Sequence, residues 1–292
     1  MDGNNEVLQD VLKSVETQSS DMPELIRETV KNPKKTFNLD YQRLTDCFLQ
    51  IVREWTTHGD QEINDCFDLI LNELCAMYPD EETREDICVF VPGCGLARLP
   101  FEIAKIGFQS VGNECDFFQL FVGSFIMNEI TRKDNYRFYP YIHDLKNRMN
   151  MNDVTTPIPF PDINPSDRSE NFQFQMLPGE FLKIAEEEIP EGSLDVIVTT
   201  FFLDSGHNIL DYIDAIAKLL KPEGIWINFG ALNFKSDLPI SLEMLKQIIS
   251  DHYKFEFLKD EIVETSYGQS QTQNSMFHMN LKCAFFTCKK NK

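Results

Sequence analysis

Basic residues are scarce in this sequence of 292 residues, which has 27 Lys and Arg against 47 Asp and Glu and a formal net charge of −20. Proteins that bind nucleic acids or anionic membranes use Lys and Arg to neutralise phosphate groups. We therefore expect neither nucleic acid nor a membrane as a partner. The charge is compatible with a small neutral or cationic ligand.

Metal-binding and targeting patterns are also missing. The eight cysteines form no C-x-x-C pair, and no His, Cys or Asp cluster has the spacing of metal ligands, so we expect reduced, buried thiols and no metal site. The amino-terminal MDGNNEVLQD has neither the basic nor the apolar segment of a signal peptide, and no apolar run approaches the ~18 residues of a membrane span. These features favour a cytoplasmic location, with the nucleus as an additional compartment.

The hydrophobic pattern divides the chain into three predicted parts. Residues 1–38 are polar and predict a weakly ordered or helical segment. Residues 39–85 show the i, i+3, i+4 spacing of two amphipathic helices, which we interpret as a helical lid. Residues 86–292 alternate between strand and helix patterns, apart from an irregular, proline-rich insertion at 131–170.

The alternating part predicts an α/β fold. Short apolar runs, typical of strands covered on both faces, alternate with helical stripes, which favours a doubly wound, mostly parallel sheet. We predict seven strands, at residues 87–92, 109–114, 172–177, 195–203, 225–229, 255–264 and 281–288.

A glycine turn follows the first predicted strand of this sheet. Ligands of such sheets bind outside the carboxyl ends of the strands, and Gly93 and Gly95 would let the backbone approach a ligand there. The third glycine of a dinucleotide fingerprint is replaced by Arg98, which argues against pyrophosphate binding. A tight turn without any ligand remains the alternative interpretation.

An acidic residue ends the second predicted strand. Glu114 follows Gly93 by 21 residues, about the length of one strand–turn–helix–strand step, and a carboxylate in this position can bind the hydroxyls of a ribose. A nucleoside without an obligatory pyrophosphate fits both features, and S-adenosylmethionine (SAM) is the natural candidate. A solvated acid at a strand end is the alternative.

Two long motifs resemble those of a known family. The run VPGCGLARLPFEIAKIGFQSVGNE (91–114) and the run FFLDSGHNILDYIDAIAKLLKPEGIWINFG (201–230), with YPYIHD (139–144) and IPFPDI (158–163) between them, are similar to the carnosine N-methyltransferase family, also called the N2227-like group. The resemblance extends from about Gln50 to Lys289.

The resemblance implies a Rossmann-like fold of the class I SAM-dependent methyltransferases with a helical addition at the amino terminus. It also implies methyl transfer to an imidazole nitrogen of carnosine, giving anserine, or of a related histidine dipeptide. The residues that it assigns to the cofactor are Gln50, Arg53, Gly93, Gly95, Glu114, Glu180, Phe181 and Thr200. Arg53, on a polar helix face, would pair with the SAM carboxylate.

The same resemblance assigns residues to the methyl acceptor. Asp204 would hold the imidazole, and Lys235, Tyr267 and His278 would line the substrate pocket. His207 is either a support for Asp204 or a structural histidine. From the residues alone, Asp204 or Ser205 could instead cap the next helix. The sequence departs from the family where Ala97 replaces a glycine, Glu180 an aspartate and Lys235 an imidazole-bearing residue.

Three functional hypotheses follow. The first is an N-methyltransferase for carnosine or another histidine dipeptide. The second is a methyltransferase of the same fold that acts on histidine in proteins, and the third is a SAM-binding relative without activity. A homodimer is an open alternative to a monomer in each case.

Overall fold

The chain forms two compact units, each assembled from separate segments. The computed structural model describes residues 2–18, 37–142, 145–206, 208–232, 240–267 and 275–292. Unit 1 is drawn from residues 1–63, 116–168 and 267–279, and unit 2 from residues 64–115, 169–266 and 280–292. The predicted helical segment 39–85 is therefore divided between the two units at residue 63.

Unit 2 contains a seven-stranded sheet in which all seven predicted strands are found. The strands are β1 (Cys88–Pro92), β2 (Gln109–Glu114), β5 (Gln173–Pro178), β6 (Leu194–Thr200), β7 (Leu220–Gly230), β8 (Phe255–Ser266) and β9 (Asn280–Lys290). Their order is β5-β2-β1-β6-β7-β9-β8, and only β9 runs antiparallel to its neighbours. The chain reverses its direction of winding between β1 and β6, where such sheets bind ligands.

Each face of this sheet has its own hydrophobic core. Successive side chains of a strand alternate between faces, so Phe90 of β1 faces one core and Val89 and Val91 face the other. The first core is covered by α7 (Phe181–Glu187), α8 (Ile209–Leu219) and α9 (Leu242–Gln247), which continues as a short π-helix through His252. The second is covered by α4 (Arg98–Lys105) and by the apolar stripe of α3 (Asp60–Met77). This confirms the predicted doubly wound α/β fold.

Unit 1 surrounds an aromatic core. Its helices are α1 (Asp2–Gln18), α2 (Phe37–Trp55), α5 (Phe117–Glu129) and α6 (Asn152–Thr155), and β3 (Tyr136–Phe138) pairs with β4 (Ile158–Phe160) in a small antiparallel sheet. The ring of Phe138 packs on those of Phe48 and Phe160, with centroids 5.7 and 5.1 Å apart. The insertion therefore contributes core residues to unit 1, which its irregular sequence pattern did not indicate.

The amino-terminal segment gains its helix from tertiary contacts. Val7 and Val11 of α1 are buried, and the Tyr136 hydroxyl donates to the Asp10 carboxylate at 3.0 Å. Most helical stability in proteins comes from such packing of one apolar face, and this explains order in a segment whose polar composition gave little sign of it.

All eight cysteines are free thiols, of which five are buried, Cys75 and Cys88 are half-buried and Cys115 is exposed, so the expected burial holds for most of them. None of the helices that the structure describes combines the length and the apolar content needed to cross a bilayer.

Candidate active site at the carboxyl edge of the sheet

The glycine turn after β1 packs against the loop after β6. Gly93 has φ +63°, and a Cβ at this position would lie 2.5 Å from the Phe202 ring. Phe202 is buried and stacks on Tyr212 with ring centroids 4.8 Å apart. Glycine is therefore required at position 93 for two reasons, its left-handed backbone and the adjoining aromatic ring.

The carboxylate of Glu114 closes this turn onto the end of β2. Its Oε2 accepts the Gly95 N–H at 3.0 Å and its Oε1 accepts the Cys115 N–H at 2.8 Å. The side chain is largely buried, and such charge-assisted bonds to backbone amides are stronger than bonds between neutral groups. Two separately predicted features, the glycine turn and the acid at the end of β2, thus meet in one hydrogen-bonded arrangement.

The turn after β5 lies beside Glu114. The Gly179 N–H donates to the Glu114 carbonyl at 2.9 Å. Glu180 follows as the N-cap residue of α7, with an exposed side chain that makes no capping bond. The Phe181 ring is buried among the rings of Phe90, Phe202 and Tyr212. The Phe181 ring is therefore part of the core, and a ligand contact from this residue would have to come from its backbone.

A buried hydroxyl and a carboxylate follow β6. Thr200 ends the strand, and within the described part of the chain its Oγ1 is buried without a hydrogen-bond partner. Asp204 is half-buried in the loop that follows. The suggested capping role of Asp204 or Ser205 is wrong, because α8 is capped by Asn208, whose side chain accepts the Leu210 N–H at 3.1 Å.

Unit 1 contains a cluster of polar side chains around Arg53. The Arg53 Nε donates to Glu62 at 2.9 Å, a further guanidinium nitrogen pairs with the same carboxylate, and Nη1 donates to Gln50 at 3.0 Å. Burial acts to lower the pKa of the guanidinium, but Glu62, Tyr267 and Glu54 together outweigh it and the pKa is raised. Among the residues that the structure describes, these bonds use three of the five N–H donors of arginine, which leaves two donors for another carboxylate.

Tyr267 and His278, which were also predicted as site residues, belong to unit 1. The guanidinium carbon of Arg53 lies 4.4 Å from the centroid of the Tyr267 ring, a cation–π contact. Gln50 donates from its amide to the buried Glu54. His278 is exposed, in the segment whose Met279 carbonyl accepts the Tyr267 N–H at 2.9 Å. Gln50, Arg53 and Tyr267 are therefore brought together within unit 1.

Some predicted residues fall outside this description. His207 and Lys235 lie outside the described residues. Among the described residues, no group of three or more His, Cys, Asp or Glu side chains is arranged to hold a metal ion.

The structure adds residues that the sequence analysis missed. Asn113 and Phe202 support the turns in unit 2, and Glu62 and Glu54 bind Arg53 and Gln50 in unit 1. A polar residue in the buried end of a strand was the available signal for Asn113. Glu62 belongs to a different helix from Arg53, so no local pattern connects the two.

Replacing Gly93 with alanine tests the packing of the turn. Gly192 is a matched control, since it has φ +62° and nothing lies within 4 Å of a Cβ there. Both substitutions incur the left-handed strain of about 1–2 kcal/mol, but only Gly93→Ala also meets the Phe202 ring. We expect its free energy of unfolding, measured by urea denaturation, to fall by about 1 kcal/mol or more beyond that of Gly192→Ala. Equal losses would contradict the contact.

Replacing Glu62 with glutamine tests the ion pair in unit 1. We expect the free energy of unfolding to fall by about 1–3 kcal/mol, below the 3–5 kcal/mol for fully buried pairs, because the Arg53 side chain is 21% exposed. Glu264→Gln removes the exposed pair with Lys282 and should leave stability unchanged. Similar losses of unfolding free energy in the two variants, measured by denaturation, would show that the Arg53 pair stabilises the fold no more than an exposed pair.

The amino-acid sequence matches one protein family over most of its length. The model of the carnosine N-methyltransferase family matches residues 30–292. The chain is 35% identical over 267 residues to the carnosine N-methyltransferase of Rattus norvegicus, covering 88% of this chain and 65% of that protein. It is 36% identical over 269 residues to that of Dictyostelium discoideum, covering 87% and 56%. The chain thus spans less than two thirds of the length of these relatives.

A solved structure also resembles the chain, the magnesium protoporphyrin IX methyltransferase of Synechocystis PCC 6803 with bound SAM. It is 11% identical, covers 80% of this chain and 84% of that chain, and has a TM-score of 0.47. That value is too low to support a conclusion, and the fold assignment rests on the strand order. The resemblance seen in the sequence motifs is confirmed by the family match across most of the chain: this protein belongs to the carnosine N-methyltransferase family.

Proposed function

We propose that the chain is a SAM-dependent N-methyltransferase that transfers a methyl group to an imidazole nitrogen of carnosine, giving anserine, or of a related histidine dipeptide. The observation that supports this most strongly is the Glu114 carboxylate, fixed by the Gly95 and Cys115 amides at the carboxyl edge of the sheet. In a chain of this family, that carboxylate would bind the ribose of the cofactor.

The residues of unit 2 fit such a cofactor. Gly93 and Gly95 provide a turn with backbone of left-handed conformation beside Glu114, and the Thr200 hydroxyl is a buried donor that a ligand can satisfy. Glu180 and the N–H of Phe181 would face the nucleoside from the turn after β5. When bound, SAM supplies an electrophilic methyl group on a sulfonium.

Asp204 is the proposed contact to the acceptor. A neutral imidazole nitrogen has a lone pair and requires no base, so the main work of the protein is to hold it about 3 Å from the methyl carbon. The carboxylate of Asp204 would accept the N–H of the other ring nitrogen, which fixes the tautomer and stabilises the cation formed on transfer. His207, Lys235, Tyr267 and His278 remain predicted contacts of the acceptor.

The proposed compartment and the charge of the protein are consistent with this function. The eight free thiols fit a reducing compartment, and we propose the cytoplasm. The net charge of −20 fits a small acceptor that bears an amine.

A methyl-transfer assay tests the function directly. Purified protein is incubated with SAM labelled in the methyl group and with carnosine, a histidine-containing peptide or a protein extract. The proposal predicts labelled anserine from carnosine. Label in protein histidine without label in anserine would favour the protein-histidine hypothesis. SAM binding without any labelled product would favour a relative without activity.

Asp204→Asn separates catalysis from cofactor binding. Loss of the carboxylate charge should lower kcat by about 10²–10³-fold, whereas the Kd for SAM should change little. The control is Asp214→Asn, which alters an exposed pair with Lys218 on α8, and it should leave both constants unchanged. Steady-state kinetics gives kcat, and calorimetry gives the Kd for SAM. An equal loss of kcat and SAM affinity in Asp204→Asn would contradict its assignment to the acceptor.

A further inference from the structure

Asn113 is a buried polar residue at the end of β2 that makes an unusual pair of bonds. Its side chain is 1% exposed. The amide nitrogen donates to the carbonyls of Leu177 and Gly179, both at 2.9 Å. Both partners are acceptors, which fixes the orientation of the amide. One side chain therefore satisfies two carbonyls of the turn after β5.

The turn needs this support because regular pairing ends there. Asn113 is paired with Leu177, and Glu114 with Pro178, in the parallel register of β2 and β5. Proline has no N–H, and Gly179 has φ +143°, outside the strand conformation. Leu177 and Gly179 are half-buried, and carbonyls shielded from water without a partner would destabilise the turn. The Asn113 amide supplies both donors.

The main chain of Asn113 extends the connection to the glycine turn. Its carbonyl accepts the Cys94 N–H at 3.0 Å, between Gly93 and Gly95. The next carbonyl, that of Glu114, accepts the Gly179 N–H at 2.9 Å. The loops after β1, β2 and β5, which contain the proposed contacts to the methionine part, ribose and adenine, are thus all bonded to Asn113 or to its neighbour.

We propose that Asn113 is a positioning residue that fixes the turn at 178–180 relative to the Glu114 carboxylate, and thereby sets the affinity for the adenosine half of the cofactor. This inference rests on the proposed function. Asn113 would act through the geometry of Glu114 and Glu180 rather than by touching the acceptor. Its removal should therefore change cofactor affinity and leave the methyl-transfer step largely intact.

The test measures the Kd for S-adenosylhomocysteine and SAM by calorimetry, with kcat and the KM for carnosine from steady-state assays. For Asn113→Ala we expect both Kd values to rise about ten-fold or more, equivalent to 1.4 kcal/mol. At saturating SAM, kcat and the KM for carnosine should stay within about three-fold, as expected when binding but not the chemical step is affected.

Asn228 provides a matched control in the same sheet. It is 2% exposed, and its amide donates to the Ala284 carbonyl at 3.0 Å, but that carbonyl belongs to β9 and not to the turn that precedes α7. Asn228→Ala should also reduce the free energy of unfolding, because it likewise leaves a buried carbonyl without its donor. It should leave the Kd values unchanged, so that a change in affinity cannot be attributed to lost stability.

A second variant reaches the same turn without altering Asn113. In Gly179→Ala the new Cβ would lie 3.0 Å from Ile184 Cδ1 and the backbone would be strained, so it should weaken binding in the same way, even if Asn113→Ala does not fold. Unchanged Kd values in a folded Asn113→Ala would overturn the inference. If Asn113→Ala is unfolded, unchanged Kd values in Gly179→Ala would do the same. An equal increase of the Kd values in Asn228→Ala would also overturn it. Failure of the wild-type protein to bind either ligand would instead overturn the proposed function, and this inference with it.

Discussion

The geometry of the candidate site depends on the placement of one buried carboxylate. Glu114 belongs to the end of β2, yet its oxygens accept N–H groups from the turn after β1 and from its own successor, Cys115. A buried carboxylate is unfavourable unless it is hydrogen-bonded, and each bond to a charged acceptor contributes about 1.5–3 kcal/mol. The same bonds that compensate its burial therefore hold the glycine turn in place beside it.

The positions of the other loops at the candidate site follow from the strand order. Because β1 lies between β2 and β6, the turn that contains Gly93 is bounded by Glu114 on one side and by Phe202 on the other. The two proposed contacts, Glu114 for the ribose and Asp204 for the acceptor, therefore come from the two strands that flank β1 or from the loops that follow them. In unit 1, the buried Glu62 and Glu54 hold Arg53 and Gln50 by a comparable principle, in which fixed acceptors orient long, flexible side chains.

Local patterns predicted the sheet well and the small elements poorly. All seven strands of the main sheet were predicted, and the clearest signal came from central parallel strands, which are continuous apolar runs such as residues 195–203. The helix α1 was only one of two alternatives for residues 1–38, and the β3–β4 pair was missed, because the order of these elements depends on contacts between distant segments such as Tyr136 with Asp10. The same distinction applies to the site. Gly93 and Glu114 were predictable because strand ends converge at one edge, whereas Glu62 and Phe202 owe their roles to tertiary contacts that no spacing reveals.

The central claim is that Glu114 binds the ribose of the cofactor, and its direct measurement is calorimetric titration of S-adenosylhomocysteine into the wild-type protein and Glu114→Gln. Glutamine preserves the shape of the side chain, but it removes the charge and replaces one acceptor oxygen with an amide. The account predicts binding by the wild-type protein and at least about ten-fold weaker binding, 1.4 kcal/mol, by the folded variant. Equal affinity in the two proteins, or no binding by the wild type, would contradict it.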